Sequence, residues 1–184
     1  MTVKEILNQA ATLSGREDVI FGIEENSLAT DDTLSAINVM VRLLNMVISE
    51  LSASFIPLIT IEEINASEKV YYKDLSKNAI EILGVYDCQG YDIAFEVFYD
   101  HVKISKPCNK IKYKYRHTNY GIDDEIDYTE KDISPAILAY GLAAEFALSE
   151  GDFDRACTMH DRYVEGVHAI CKPKNHRTKA REWR

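Results

Sequence analysis

The sequence predicts an α+β fold in which a β domain is inserted between two helical segments. Apolar residues recur every three or four positions over residues 1–54 and 134–171, which is the spacing of amphipathic helices. Over residues 57–116 the spacing falls to about two, which is typical of strands. We therefore expect a bundle of about four helices (1–56 and 134–171), an inserted β domain (57–133) and an extended C-terminal tail (172–184).

Two helices are predicted before the insertion. Thr2 and Glu5 have the spacing of a capping box, and Gly15 follows the first periodic stretch as a stop. A polar stretch separates this helix from a longer one that begins near Asp31 and ends before Pro57. The longer helix has apolar residues at Leu34, Ile37, Val41, Leu44, Ile48 and Leu51.

Short alternating segments predict the strands of the insertion. Turn residues separate the later segments, at 87–90 and at 106–109. Sequential short strands with tight connections favour an antiparallel meander that forms a small sandwich or barrel. The predicted strands are 58–64, 69–72, 80–86, 91–98, 101–104 and 110–116.

The two helices after the insertion differ in character. Ser134 and Pro135 suit the N-cap and first turn of a helix whose face is rich in glycine and alanine. Such small residues allow another helix to approach closely, so we expect this helix to be buried. We assign Gly141, Ala144 and Ala147 to a contact between neighbouring subunits. The last helix covers about residues 152–171 and ends at Lys172-Pro173.

Charge is divided unevenly between the body and the tail. Residues 172–184 carry six Lys/Arg and one Glu, whereas the rest of the chain carries 15 basic and 29 acidic side chains. The tail has one aromatic residue, Trp183, and no apolar run, so we expect it to order on a partner that is acidic or that offers a groove for Trp183 between arginines. The acidic body argues against bulk nucleic-acid wrapping. We expect no signal peptide, no membrane span and four reduced, cytosolic thiols.

A mirrored cysteine and histidine pattern in the last helix resembles a zinc motif. Its residues are Cys157, His160, His168 and Cys171. The two cysteines lie about 21 Å apart on one straight helix, because each residue adds 1.5 Å. Four tetrahedral ligands must lie within about 2.3 Å of one ion, so we predict no metal site and no cofactor. Since the four residues share a stripe with Phe153, Val164 and Val167, we expect them in the core or at a helix interface.

An acidic cluster follows Gly121 and contains Asp123, Asp124, Glu125 and Asp127. Its spacing lacks the alternating carboxylates and central glycine of an EF-hand loop. We therefore expect a solvated loop, or a counter-surface for the basic residues of a neighbouring subunit.

The 110–116 strand suggests an alternative function in nucleic-acid binding. Its cations, Lys110, Lys112, Lys114 and Arg116, alternate with Ile111, Tyr113 and Tyr115. Aromatic side chains on the opposite side from the cations do not stack on bases whose phosphates those cations neutralise. Lysines on an exposed strand also limit aggregation. An exposed face or a subunit contact is therefore the favoured interpretation.

The sequence contains no motif that predicts an enzyme. A nucleophile elbow, a zinc-protease helix, a Walker A loop and a dinucleotide-binding glycine pattern are all absent. The histidines His101 and His117 form no nucleophile–base pair that the sequence reveals. We expect neither catalytic residues nor enzymatic activity.

The order of these parts resembles the head–tail connector, or adaptor, proteins of tailed bacteriophages. The resemblance covers nearly the whole chain: MTVKEILNQAATLSG, LLNMVISEL, the β segment with YKDLSKNAIEILGVYD, AILAYGLAAEFALSEGDFDRA, HDRYVEGVHAICK and the basic C-terminus. The large β insertion departs from the smallest, mostly helical adaptors and is closer to the versions in podovirus-like tails.

The resemblance implies a structural virion protein, assembled in the cytoplasm of the bacterial host. It implies a homo-oligomeric ring of twelve subunits that binds the portal protein of the head, meets tail or tail-tube proteins and lines a channel. DNA would pass that channel without sequence-specific binding. Another neck or tail-tube component remains an alternative. The implied portal-binding residues are Lys172, Lys174, Arg177, Lys179, Arg181, Trp183 and Arg184.

Overall fold

The computed structural model of the chain describes residues 1–24, 30–126, 128 and 133–171. The chain divides into two compact units, a helical unit (Met1–Leu44 with Gly121–Arg184) and an inserted unit (Asn45–Tyr120). Helices dominate the first and antiparallel strands the second, so the predicted α+β class is confirmed. The sequence placed the insertion at 57–133, whereas the compact inserted unit begins within a helix and ends before Gly121.

The helical unit contains four complete helices and the first part of a fifth among its described residues. The predicted ends of the first helix agree with the structure: the Thr2 hydroxyl accepts a hydrogen bond from the Glu5 N–H (3.2 Å), and Gly15 adopts the left-handed conformation (φ 69°). The α-helices of the described chain are α1 (Val3–Ser14), α2 (Glu17–Glu24), α3 (Asp31–Glu50), α4 (Pro135–Glu150) and α5 (Phe153–Cys171).

Helix α2 was not predicted: the segment after Gly15 was interpreted as a polar stretch, although α2 contains Val19, Ile20, Phe21 and Ile23. Tertiary contacts hold the start of this helix. The Arg16 guanidinium binds Asp18 at 2.9 Å and Glu150, at the end of α4, at 3.3 Å. The hydrogen bond with Asp18 raises the pKa of Arg16, and the same contact lowers the pKa of Asp18. An eight-residue helix has little intrinsic stability, so packing is what supports it.

The directions of α1, α4 and α5 follow from contacts at their ends. Arg16, just after α1, lies over the Phe146 ring near the end of α4 and binds Glu150, so α1 and α4 run the same way. The Arg155 guanidinium, in the first turn of α5, donates a hydrogen bond to the Ser14 carbonyl (3.1 Å). Helix α5 therefore runs back antiparallel to α1 and α4, and ends where they begin.

Helix α3 begins in the helical unit and ends in the inserted unit, where a turn of π-helix (Leu51–Phe55) follows it. By length and composition alone, the Asp31–Phe55 helix is apolar enough to cross a membrane, with a mean hydropathy of 1.4. The central helices of soluble proteins share that composition, so this observation is weak evidence. One face of the helix is buried within the chain and includes Met40, Leu44, Ile48 and Leu51.

The inserted unit contains two three-stranded antiparallel sheets, ordered β1-β6-β3 and β2-β5-β4. The antiparallel pairing was predicted, but the sequential meander was wrong. β6 lies between β1 and β3 and pairs with both; Tyr113 lies opposite Thr60 of β1 and Ile82 of β3. The strands are β1 (Ile59–Ala66), β2 (Lys69–Tyr71), β3 (Ala79–Tyr86), β4 (Phe95–Val97), β5 (His101–Ile104) and β6 (Cys108–Tyr115).

Candidate functional site

The predicted portal-binding residues lie outside the described part of the chain. They are Lys172, Lys174, Arg177, Lys179, Arg181, Trp183 and Arg184. The structure describes the residues immediately before them, up to Cys171. Helix α5 ends at Cys171, and Gly166, little more than a turn earlier, lies against Ile137 in the first turn of α4. The tail therefore leaves the helical unit at the end where α4 and α1 begin.

The small-residue face of α4 is already covered within the subunit. Gly141, Ala144 and Ala147 are buried, as predicted for this helix, and α4 packs against α1 and α5 of the same chain. Helix α4 is buried on nearly all sides from Leu138 to Ala147. These residues thus stabilise the helical unit itself.

The cysteine and histidine pattern is not part of the core, which corrects the sequence-based expectation. Cys157, His160, His168 and Cys171 are all exposed, and so is Phe153. The buried stripe of α5 is Ala156, Tyr163 and Val167. At about 100° per residue, the four side chains lie roughly 40–120° around the helix from Ala156. Among the described residues, no group of three or more potential metal ligands comes together.

The predicted alternation of β6 is present, but its cations lie among carboxylates. Ile111, Tyr113 and Tyr115 are buried, while Lys110 is exposed on the other face. Strands β1 and β3 flank these lysines with acidic residues. The pairs are Lys110 with Glu63 (3.6 Å) and Lys114 with Glu81. The strand therefore presents a mixed-charge face, which is a poorer phosphate-binding surface than the sequence suggests.

The opposite face of the same sheet holds a partly buried hydrogen-bond network that the sequence did not reveal. The Tyr113 hydroxyl donates to Glu62 at 2.6 Å, and Ser76 donates to that carboxylate through its backbone N–H and its hydroxyl. Burial opposes ionisation of Glu62, yet these hydrogen bonds outweigh it and lower the pKa of the carboxyl. Burial, and then the Glu62 carboxylate, raise the pKa of Tyr113. This arrangement is structural, since it joins β1, β6 and the segment before β3.

The described acidic loop residues are tied to the start of α1. Asp123 pairs with Lys4 at 2.7 Å, and the Asp124 carboxylate accepts a hydrogen bond from the Gly121 N–H at 2.6 Å. Backbone hydrogen bonds join Val3 to Asp124 and Ile126 to Met1. Asp127 lies outside the described residues. The loop thus closes the end of the helical unit, and Asp123, Asp124 and Glu125 remain exposed there.

A groove of about 510 Å³ lies beside this loop, within the helical unit. Its apolar wall comes from three elements and includes Ile23 of α2, Leu34 and Ile37 of α3, and Ile122 of the loop. Lys4, Glu24 and Asp123 provide its charged side chains. Leu34 is 39% exposed. The groove is an open apolar surface next to carboxylates, and the sequence did not predict it because its walls are far apart in the chain.

The turn between β4 and β5 holds a second surface that the sequence did not single out. Tyr99 is fully exposed at its tip, and Phe98 is 44% exposed. The Phe98 N–H donates to the His101 carbonyl (2.9 Å), the two rings stack at 4.8 Å, and the Tyr72 hydroxyl donates to the Phe98 carbonyl (3.1 Å). The turn is thus held in one shape, and it projects an aromatic side chain.

Comparison with known proteins adds no family assignment. No protein-family model matches the chain, and no curated protein sequence matches it.

Proposed function

We propose that this protein is a head–tail connector subunit of a tailed bacteriophage, a structural ring protein that binds the portal and lines the DNA channel. The observation that carries the proposal is the architecture: described residues on both sides of the insertion build one helical unit, a β unit is inserted between them, and a basic segment follows α5 in the sequence. This is the order of parts that characterises the adaptor proteins the sequence resembles.

The distribution of charge supports a role beside DNA. The described part of the helical unit contains five basic side chains (Lys4, Arg16, Arg42, Arg155 and Arg162) against fifteen acidic ones, whereas the inserted unit is nearly balanced. An acidic wall repels phosphates and does not hold the duplex, so that DNA slides past it. Neighbouring subunits would meet through exposed surfaces of the units, because the α4 face is occupied within each chain.

The tail supplies the contact with the portal. Arginine forms bidentate hydrogen bonds with carboxylates, and a desolvated tryptophan is a frequent hot spot of protein interfaces. A segment that orders on its partner ties ring formation to the presence of the portal. The subunits would then join head to tail around the portal axis in a closed ring.

The test is reconstitution on purified portal rings, with imaging of the particles. Full-length protein is expected to add a ring of density on the portal, and a chain that stops after Cys171 is expected to fold and fail to bind. Trp183→Ala should weaken binding by about 2 kcal/mol or more, whereas Trp183→Phe retains an apolar anchor as the matched control. Undiminished binding by the truncated chain would contradict the docking role.

The nucleic-acid alternative is tested in parallel. A duplex-binding protein loses affinity steeply with salt, since each neutralised phosphate releases a counterion. We expect no such binding from the body of the protein, because Lys110 and Lys114 already lie beside Glu63 and Glu81. Tight, salt-sensitive binding to naked duplex that is lost on removing the charge of Lys112 would favour the alternative.

A further inference from the structure

The groove of the helical unit lies next to the place where the tail begins. Gly166 contacts Ile137 at the start of α4, and Cys171 lies five residues, or about 7 Å of helix, further along. The loop of residues 121–126 is attached to the start of α1 through the hydrogen bond between Val3 and Asp124. Since α1 and α4 run in the same direction, the end of α5 and the groove beside Lys4 and Asp123 lie at one end of the unit.

The tail has the length to reach the groove. Thirteen residues follow Cys171, and an extended chain of that length spans about 43–47 Å. A domain of about 100 residues has a radius of gyration of about 13 Å, so every point at that end of the unit is within reach.

The chemistry of the two surfaces matches. The tail contains six cations and one large apolar side chain, Trp183. The groove offers an apolar wall at Ile23, Leu34 and Ile122, with Glu24 and Asp123 among its lining residues. Asp124 and Glu125 adjoin it, and its one cation, Lys4, is already paired with Asp123. The nearly neutral inserted unit offers no comparable excess of carboxylates.

We propose that residues Lys172–Arg184 dock into this groove of their own helical unit, with Trp183 against the apolar wall and tail cations at the Glu24 and Asp123 carboxylates. Attachment to the same chain gives the tail an effective concentration in the millimolar range, so modest contacts suffice to hold it. The docked tail is then unavailable to other acidic surfaces until a stronger one competes for it. This inference concerns the free chain and does not require a portal.

Trp183 is the only tryptophan of the protein, so its fluorescence reports on the tail directly. In the full-length protein we expect blue-shifted emission and an acrylamide quenching constant several-fold below that of a synthetic peptide of residues 172–184. Raising the salt to about 1 M, where the Debye length is about 3 Å, should bring the two constants closer together. Emission and quenching equal to those of the peptide would overturn the proposal.

Two groove variants and two matched controls identify the docking surface. Leu34→Asp places a charge on the apolar wall, and Glu24→Lys reverses a charge of the lining; each should raise the quenching constant towards that of the peptide. Phe153→Ser and Glu17→Lys change exposed residues at the opposite end of the unit and should leave it unchanged. All four positions are exposed, and circular dichroism checks that each variant folds. Groove variants that fold and behave like the controls would exclude this groove.

Dilution separates docking within one chain from exchange between two copies. The protection of Trp183 should be independent of protein concentration and present in the monomeric fraction of a sedimentation experiment. Protection that appears only with a dimer would contradict docking in the tail's own unit. Neither result depends on whether the tail later binds a portal.

Discussion

The side chain of Asn45 pairs with both backbone groups of Tyr120, and these two residues are the first and last of the inserted unit. The Asn45 amide donates to the Tyr120 carbonyl at 3.0 Å, and its oxygen accepts from the Tyr120 N–H at 2.8 Å. Tyr120 is buried and Asn45 half-buried. One side chain thus holds the entry and the exit of the inserted unit together, as a tightly closed insertion requires.

Asn45→Ala should destabilise the inserted unit by about 1–3 kcal/mol, because it leaves two backbone groups of a buried residue without these partners. The loss should appear as a lower unfolding free energy in urea. Asn38→Ala is the matched control, since Asn38 is an exposed asparagine of the same helix and gains the same helix propensity on substitution. Equal stability of the two variants would show that the Asn45 contact contributes nothing.

The Asn45 contact shows which features the sequence reveals and which it does not. The ends of α1 were predictable, because the capping box at Thr2 and the stop at Gly15 are local signals. The pairing of Asn45 with Tyr120 spans 75 residues, and nothing in the local sequence marks it. The same reason explains why strands were predicted whereas their order was not: β6 pairs with β1 and β3, from which other strands separate it along the chain.

Glu62 should make the inserted unit sensitive to acid. Hydrogen bonds from Tyr113 and Ser76 outweigh burial and lower the pKa of this carboxyl below its usual 4.5. A carboxyl with a lowered folded-state pKa stabilises the protein above the unfolded pKa, and that contribution is lost as pH falls through the folded value. Glu62→Gln should therefore cost about 1–3 kcal/mol at neutral pH and much less at about pH 3.

The measurement is the free energy of unfolding of the wild type and of Glu62→Gln, determined in urea between neutral pH and about pH 3. Glu63→Gln is the control, since Glu63 is exposed on the other face of β1 and its pair with Lys110 contributes little. A difference between wild type and Glu62→Gln that stays constant with pH would contradict the assignment.

The cysteines should separate into three accessible thiols and one protected thiol. Cys88, Cys157 and Cys171 are exposed, whereas Cys108 is buried and burial raises the pKa of its thiol. The thiolate is the reactive form, so Cys108 should react with a disulfide reagent only as the β unit opens. Mass spectrometry of partly labelled native protein identifies the sites, and labelling in denaturant provides the total. Fast labelling of Cys108 would contradict its burial.

The same cysteines show why the sequence predicted the wrong face of α5 to be buried. Counting Cys157, Phe153 and Val164 as apolar moved the predicted stripe around the helix, so that it included Val167 but neither Ala156 nor Tyr163. Tyrosine has a polar tip, yet in α5 Tyr163 lies in the core whereas Cys157 and Cys171 are exposed. The groove of the helical unit was unpredictable in another way, since α2, α3 and the 121–123 loop meet there only after folding.

The final prediction concerns Gly166 and Ile137, where α5 approaches α4. A Cβ atom at Gly166 would lie 2.9 Å from Ile137 Cγ1, which is closer than carbon atoms pack. Gly166→Ala should gain up to about 1 kcal/mol of helix propensity, and crowding should cancel or exceed this gain. In an Ile137→Ala background the crowding is absent, so the same substitution should stabilise the protein. Thermal unfolding of the four chains forms a double-mutant cycle, with an expected coupling of about 0.5–3 kcal/mol. Additive effects, with Gly166→Ala equally favourable in both backgrounds, would show that α5 does not approach α4 as closely at this position.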